Sequence, residues 1–323
     1  MKLMVTGGCG FIGSNFIKYY MEKHPQDKIV NLDKLTYAGR MENLKELKGN
    51  KNYEFVKGDV CNPKSVAKAM KGADKVVHFA AESHVDRSIK DPFVFLKTDT
   101  LGTAIMLEEA RKLDIEKFVY ISTDEIYGSV EQGFSTEDSE IKPSSPYSAS
   151  KAAADRLAFS YFFTYGLNVT IHRASNNFGP FRYPEKLIPL FATNLLRGKK
   201  VPVYGNGLQK RDWLYVEDNC AAVELLLEKG GKGEAYNVAA HNEKTNIEIT
   251  EFVLKELGKG KEMIEYVKDR PGHDKRYALN TGKIEALGWK PKWEFEAALR
   301  ATVRWYKEND WWWKPLVAGG AKK

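Results

Sequence analysis

Long apolar runs are missing from this chain. No stretch approaches the ~20 consecutive apolar residues that a membrane helix needs, so no membrane partner is expected. The opening residues MKLMVTGG are strand-like, with no charged segment before an apolar one, and no signal peptide is expected. Cysteine is scarce. The 3 cysteines among 323 residues are Cys9, Cys61 and Cys220. They are odd in number, widely spaced and in no metal-ligand pattern. That excludes a disulfide framework, predicts no metal site, and points to reduced thiols in a cytoplasmic protein. Repeats and flexible linkers are absent. Charge of one sign never masses in a block: 50 basic and 43 acidic residues leave a net charge of +7, with the lysines scattered. Scattered lysine argues against a nucleic-acid partner and suits small anionic ligands such as dinucleotides and sugar nucleotides. The remaining composition, 43% hydrophobic and 29% charged, is that of a globular protein with one large or two moderate domains.

Short apolar runs alternate with helical patterns. Lys2 to Thr6, Ile29 to Leu32, Tyr53 to Lys57, Val76 to Ala80, Phe118 to Ile121 and Val169 to Ala174 read as strands. Helices are predicted from about Ser14 to Lys23, from near Pro63, from Pro92 to Leu113 and within Pro143 to Gly166. This alternation predicts an α/β fold: a Rossmann-type doubly wound parallel sheet with a smaller C-terminal α/β substrate lobe. Residues 1–180 form the dinucleotide domain, with some later segments returning to it. Residues 181–317 form the substrate lobe, and 318–323 a frayed tail.

The first strand runs into GGCGFIG, Gly7 to Gly13. Gly7, Gly10 and Gly13 are spaced G-x-x-G-x-x-G. They either make a tight strand–helix turn or bare the backbone to a pyrophosphate at the positive end of the helix. Asp33 follows the second strand, 20 residues after Gly13. A carboxylate there meets the adenosine ribose hydroxyls of NAD and disfavours the extra phosphate of NADP. Asp59, after the third strand, either accepts from the adenine amino group or caps the helix near Pro63. AAESHVDRS follows the fourth strand, small residues and then polar ones, as a cofactor-facing loop requires.

ISTDEIYG, Ile121 to Gly128, delivers Ser122, Thr123, Asp124 and Glu125 where the fifth strand ends. In an open α/β sheet the ligand crevice lies outside the carboxyl ends of the strands. A hydroxyl and two adjacent carboxyls form an acid/base set, or else a polar loop with Asp124 as a helix cap. Tyr147 and Lys151 are four apart and project from one helix face. An ammonium beside a phenol lowers a pKa that starts near ~10; alone, the pair also fits an ordinary helix surface. Asn176 and Asn177 form either a turn or two neutral ligands. DRPGHDKRYALN, Asp269 to Asn280, is either a diphosphate-binding loop or a solvated basic one, and His78, His84 and His273 fit structural roles. Asp218 to Glu228 and Thr250 to Leu257 read as helices, Ala235 to Val238 as a strand, and the aromatic stretch Trp289 to Trp313 as amphipathic helix closing the fold or an interface.

Gly7 to Gly13, Asp33, Tyr147 and Lys151 together resemble the extended short-chain dehydrogenase/reductase superfamily. HFAAESHVDRS, STDEIYG, SPYSASKA, RASNNFGP, PEKLIP, GNG followed by RDWLYVEDN, and DRPGHDKRYA are similar to the dTDP-glucose 4,6-dehydratase family, over nearly the whole chain. The resemblance implies NAD bound by Gly7, Gly10, Phe11, Ile12, Gly13, Asp33, Lys34, Leu35, Thr36, Asp59, Val60, Ala80, Ala81, Ser83, Thr98, Tyr147, Lys151 and Asn177. It implies a nucleotide sugar held by Ser83, Thr123, Asn176, Lys186, Leu187, Ile188, Pro189, Leu190, Phe191, Pro202, Val203, Tyr204, Arg211, Asn246, Asp269, Arg270, His273 and Tyr277. The implied catalytic set is Thr123, Asp124, Glu125, Tyr147 and Lys151. Epimerases and decarboxylases of the same fold lack the Asp–Glu doublet, which is the discriminating feature. A homodimer through the helices after strands four and five is also implied. The reading from another class is a non-catalytic NAD- or RNA-binding protein on this fold.

Overall fold

Residues 1–318 are described by a computed structural model. Its strands are β1 Lys2–Thr6, β2 Lys28–Asp33, β3 Tyr53–Lys57, β4 Lys75–His78, β5 Lys117–Thr123, β6 Val169–Ala174, β7 Asn176–Phe178, β8 Val201–Tyr204, β9 Lys210–Tyr215, β10 Ala235–Val238, β11 Glu243–Thr245 and β12 Ile264–Val267. Its α-helices are α1 Phe11–Lys23, α2 Pro63–Met70, α3 Val85–Lys90, α4 Pro92–Phe95, α5 Gly102–Lys112, α6 Pro146–Tyr165, α7 Leu187–Leu196, α8 Val216–Lys229, α9 Asn246–Glu256, α10 Gly282–Glu285, α11 Phe295–Glu308 and α12 Asp310–Ala318.

Runs such as KLMVT and KFVYIST are buried on both faces, as parallel strands between helical layers must be. Seven of them form one sheet in the order β10-β6-β5-β4-β1-β2-β3, every ladder parallel. Alternate side chains divide between the two faces. Met4, Val76 and Phe118 pack with α2, α5 and α6, whereas Leu3, Val5, Val77 and Val119 pack with α1 and α8. The chain runs outward from β1 to β3, then returns to place β4 on the other side of β1. That reversal opens a crevice at the carboxyl ends of β1 and β4.

A smaller assembly follows. The sheet β11-β9-β7 and the pair β12-β8 pack with α7, α9 and α11 around Phe178, Phe191, Trp213, Phe295 and Leu299. Among the described residues, no helix is long and apolar enough to cross a membrane.

Several boundaries differ from the sequence reading. α1 starts at Phe11, before Ser14, so that Gly10 caps it and Gly13 lies in its first turn. The fourth strand stops at His78, because Ala80 turns to pack against Gly7. The long helix expected from Pro92 is α-helical only at its ends, with a π turn over Leu96–Leu101 between α4 and α5. α9 starts at Asn246 because Thr245 and Glu248 close a capping box there. The aromatic C-terminal stretch is two helices that break at Asn309. Of the predicted frayed tail, Ala318 ends α12 and residues 319–323 lie outside the described residues.

Candidate active site

The crevice at the switch point is a cavity of about 600 Å³. One end is built by the glycine loop. Gly7 has φ +67°, and a Cβ on it would lie 2.7 Å from the Ala80 nitrogen. A Cβ on Gly13 would run into the Gly7 carbonyl. α1 has no side-chain cap and no acid in its first turn, so its amides are left for an anion. Asp33 accepts from the Cys9 amide at 2.9 Å and the Leu35 amide at 2.7 Å, and burial raises its pKa. Leu35 thus holds Asp33 from behind (its own φ is +56°) and is not in the cavity wall. Asp59 pairs with Lys34 at 2.8 Å, and the cap of α2 is Asn62, so the capping role considered for Asp59 is taken by its neighbour. Thr36, Val60, Ala80, Ala81, Ser83 and Thr98 complete this end. The cradle fits a dinucleotide: closely approached glycines, a bare helix start, and an acid on the second strand.

The middle of the cavity holds the acid/base set. Thr123 ends β5 and caps the following 3₁₀ turn, Asp124–Tyr127, accepting from the Glu125 amide at 3.3 Å. The cap is therefore Thr123 and not Asp124. Asp124 is 3% exposed, with one carboxyl oxygen receiving the Thr123 hydroxyl at 3.2 Å and the other buried without a partner. Burial, and then the charge of Glu125, push Asp124 well above the carboxylate range. Burial also raises Glu125, but Lys186, Arg211 and Arg270 face it and hold it back. Burial thus raises both acids, and cations offset it at Glu125.

Tyr147 sits in the first turn of α6, which Ser145 and Ser148 cap reciprocally with Pro146 at its start. Its phenol reaches the cavity; the Lys151 side chain does not. Lys151 donates to the Ile121 carbonyl at 2.6 Å, with its ammonium 4.4 Å from the Tyr120 ring centroid. The expected lowering of Tyr147 by Lys151 is overturned. Burial, with Glu125 and Asp99 behind it, pushes the phenol well above its ordinary value, although Thr123 works the other way.

At the far end, Asn176 and Asn177 each present a buried side-chain oxygen without a partner. Lys186 reaches the Ser83 carbonyl, and burial lowers it to about 8. Arg211, Asn246, Arg270, His273, Tyr277, Pro202, Val203 and Tyr204 line this end, together with Leu187, Leu190 and Phe191. Ile188 and Pro189 do not: they turn into the core of the second lobe. Asp269 stands behind His273, bonded to Nδ1 at 2.6 Å. His78 is held between Thr6 and Thr103 and kept neutral by burial. Sequence reasoning missed Glu82, Arg182 and Glu185 in the wall. Arg182 and Glu185 lie in FRYPEKLIP, whose mixture of charge and aromatics was the available signal. Glu185 joins the two sides of the cleft, accepting from Tyr37 at 2.7 Å and Arg87 at 3.2 Å.

A parallel sheet with this switch point, a glycine cradle, and a Tyr–Lys pair on the helix after β5 define an enzyme fold of the extended short-chain dehydrogenase/reductase class. The chain belongs to the family described as GDP-mannose 4,6 dehydratase, whose profile matches residues 4–302. It is 46% identical to the dTDP-glucose 4,6-dehydratase of Streptomyces niveus, over 98% of this chain and 96% of that one. The crystal structure of DesIV, a dTDP-glucose 4,6-dehydratase from Streptomyces venezuelae with NAD and TYD bound, superposes with a TM-score of 0.96 at 46% identity, covering 98% of this chain and 100% of that one. The UDP-glucose 4-epimerase of Thermus thermophilus complexed with NAD superposes with a TM-score of 0.89 at 32% identity, over 96% of this chain and 100% of that one.

Proposed function

We propose that this protein is an NAD-dependent sugar-nucleotide dehydratase that converts dTDP-glucose to dTDP-4-keto-6-deoxyglucose and water. The observation that supports it most is the Asp124–Glu125 doublet beside Tyr147 in one cavity, with Lys186, Arg211 and Arg270 facing Glu125. Shared fold alone does not choose between dehydratase and epimerase; a second acid/base pair is needed only for elimination.

The C5 proton of glucose is not acidic until C4 is a carbonyl. Tyr147 takes the O4 proton while Thr123 hydrogen-bonds O4. Bound NAD would accept hydride from C4, favour the Tyr147 phenolate by its positive ring, and return hydride to C6. The glycine loop, Asp33 and Asp59 would hold its adenosine and pyrophosphate; Lys151, turned away from the cavity, would act on the nicotinamide end only through its charge. Glu125 removes the C5 proton. Asp124 gives its proton to the C6 hydroxyl, which leaves as water. Glu125 then returns a proton to C5. Lys186, Arg211 and Arg270 supply the positive charge for the sugar's diphosphate.

We further assign NAD to residues 1–180, with α8 and β10 returning to that domain, and the sugar nucleotide to 181–317. A homodimer through α4, the π turn and α6 is supported by their uncovered apolar side chains, including Phe93 at 77% and Phe163 at 79% exposed. Three free cysteines support a cytoplasmic setting. The deciding experiment is incubation with dTDP-glucose and, separately, UDP-glucose, followed by mass spectrometry. Loss of one water without net NAD reduction is expected, faster with dTDP-glucose. Isomerisation at unchanged mass overturns the reading in favour of an epimerase; no turnover of either sugar removes the enzyme assignment.

A further inference from the structure

One buried carboxylate has no part in the chemistry above. Asp99 is 1% exposed and lies within the π turn Leu96–Leu101. Such single π turns inside α-helices recur at functional sites, because the extra residue re-aims side chains. Here the turn aims Asp99 inward. Its Oδ1 accepts from the amide of Glu82, a residue of the cavity wall, at 2.8 Å. Its Oδ2 accepts from the Ser150 hydroxyl at 2.7 Å. Ser150 stands between Tyr147 and Lys151 on α6, and the same hydroxyl lies 2.8 Å from the Tyr147 carbonyl. Thr100, from the same π turn, donates to the Ser150 carbonyl at 3.2 Å. The reactive turn of α6 is thus tied to the π turn and to the loop after β4.

Asp99 also carries charge into a place where charge is felt strongly. It is faced by Lys151, Tyr147 and Ser150 from α6, by Glu82 from the loop after β4, and by Tyr120 from β5. Lys151 is faced in turn by Asp99 and Asp155, by the Tyr120 ring, and by His78 of β4 and His172 of β6. Asp155 is already engaged by Arg173, with both contacts at 2.9 Å. Burial keeps both histidines neutral. Asp99 is therefore the buried carboxylate left to balance Lys151.

We propose that Asp99 is a positioning residue for the oxidation step: it keeps the Lys151 ammonium charged and sets the proton affinity of Tyr147 through the turn of α6 that it clamps. This rests on the dehydratase reading. Burial raises Asp99 and lowers Lys151, while each charge opposes the shift of the other. The negative charge of Asp99 raises both Lys151 and Tyr147. Its removal therefore moves both titrations the same way, to lower pH.

Asp99→Asn removes the charge and little else. The amide oxygen still accepts from Glu82, and the Ser150 hydroxyl turns to the Tyr147 carbonyl while accepting from the new amide nitrogen. The test is the pH dependence of nicotinamide reduction in a single turnover of the NAD-loaded protein with dTDP-glucose. Both limbs of the profile are expected to move to lower pH in Asp99→Asn, by on the order of one unit. A profile lowered in height but unmoved makes Asp99 merely structural and overturns the proposal. Carbon-13 NMR of aspartate-labelled protein without substrate gives a second readout. The signal missing from Asp99→Asn should titrate well above the ordinary carboxylate range, and a signal within that range also overturns the proposal. Should Asp99→Asn not fold, Ser150→Ala removes one bond that favours the ionised carboxylate. The Asp99 signal should then titrate higher and the profile shift the same way, by less; an unmoved signal is again fatal. Absence of any nicotinamide reduction in the unmodified protein sinks the dehydratase reading instead, while the NMR result still decides whether Asp99 behaves as described.

Discussion

Trp312 donates its indole N–H to Asn43 Oδ1 at 2.7 Å, across 269 positions of sequence. Asn43 passes the connection on, donating to the Cys9 carbonyl at 2.9 Å, and the Cys9 amide holds Asp33. The last helix among the described residues is thus fastened to the glycine loop and, through it, to Asp33. Trp312→Ala empties a fully buried site and should cost about 3–5 kcal/mol, read as a lowered midpoint in denaturant. It should also lower the NAD content of the purified protein, measured by absorbance after denaturation. Unchanged NAD content would mean that the connection stabilises the fold alone.

Tyr147→Phe leaves the packing of the first turn of α6 intact and removes the phenol that we propose takes the O4 proton. Nicotinamide reduction in a single turnover with dTDP-glucose should fall by about 10²–10⁴-fold, with binding of the sugar nucleotide little changed. Reduction at the unaltered rate would remove Tyr147 from the oxidation step.

Asp124→Asn and Glu125→Gln should separate oxidation from elimination. In each, reduced nicotinamide should accumulate after substrate is added, while loss of water slows by about 10²–10⁴-fold by mass spectrometry. Two variants that dehydrate at the normal rate would refute the acid and base roles given to the doublet.

Two histidines make the fold sensitive to acid. Burial lowers His78 from 6.5 to about 3 and His172 from 6.5 to about 4. The unfolded chain therefore takes up protons at these sites before the folded protein does. Their stabilisation is complete above pH 6.5 and is lost progressively as pH falls toward 3 for His78 and 4 for His172. Thermal melts should show the midpoint falling below about pH 6.5. His172→Leu should flatten that fall, because it removes one of the two buried rings that titrate there.

Much of this site was legible because its residues sit where regular elements end. A glycine loop after a first strand, Asp33 closing a second, Thr123 closing a fifth and Tyr147 opening a helix are positions that periodicity alone locates. Periodicity fails where side chains of one segment diverge. The stretch Lys186 to Phe191 is assigned to the substrate as a block, yet successive residues of a helix point about 100° apart. Leu187, Leu190 and Phe191 share the cavity face, and Ile188 and Pro189 point away from it. Asp99 was hidden for a related reason. A single π turn shifts the helical phase by one residue, and a 3.6-residue pattern read across it assigns an inward carboxylate to the wrong face. The elevation of Tyr147 was out of reach because it comes from burial and from the charges of Glu125 and Asp99, tertiary neighbours that helix spacing does not reveal.

The sheet order has a consequence for synthesis. β6 is fully buried, and its outer neighbour β10 arrives only after β7, β8, β9 and α8 have been made. A nascent chain that has produced only the first six strands carries a bare hydrogen-bonding edge, open to pairing with another chain. The edge closes when Ala235 aligns with Ile171. Neither half of the molecule is therefore an exchangeable module: a fragment ending after β6 is prone to aggregate, and the later half alone has no sheet for β10 to join.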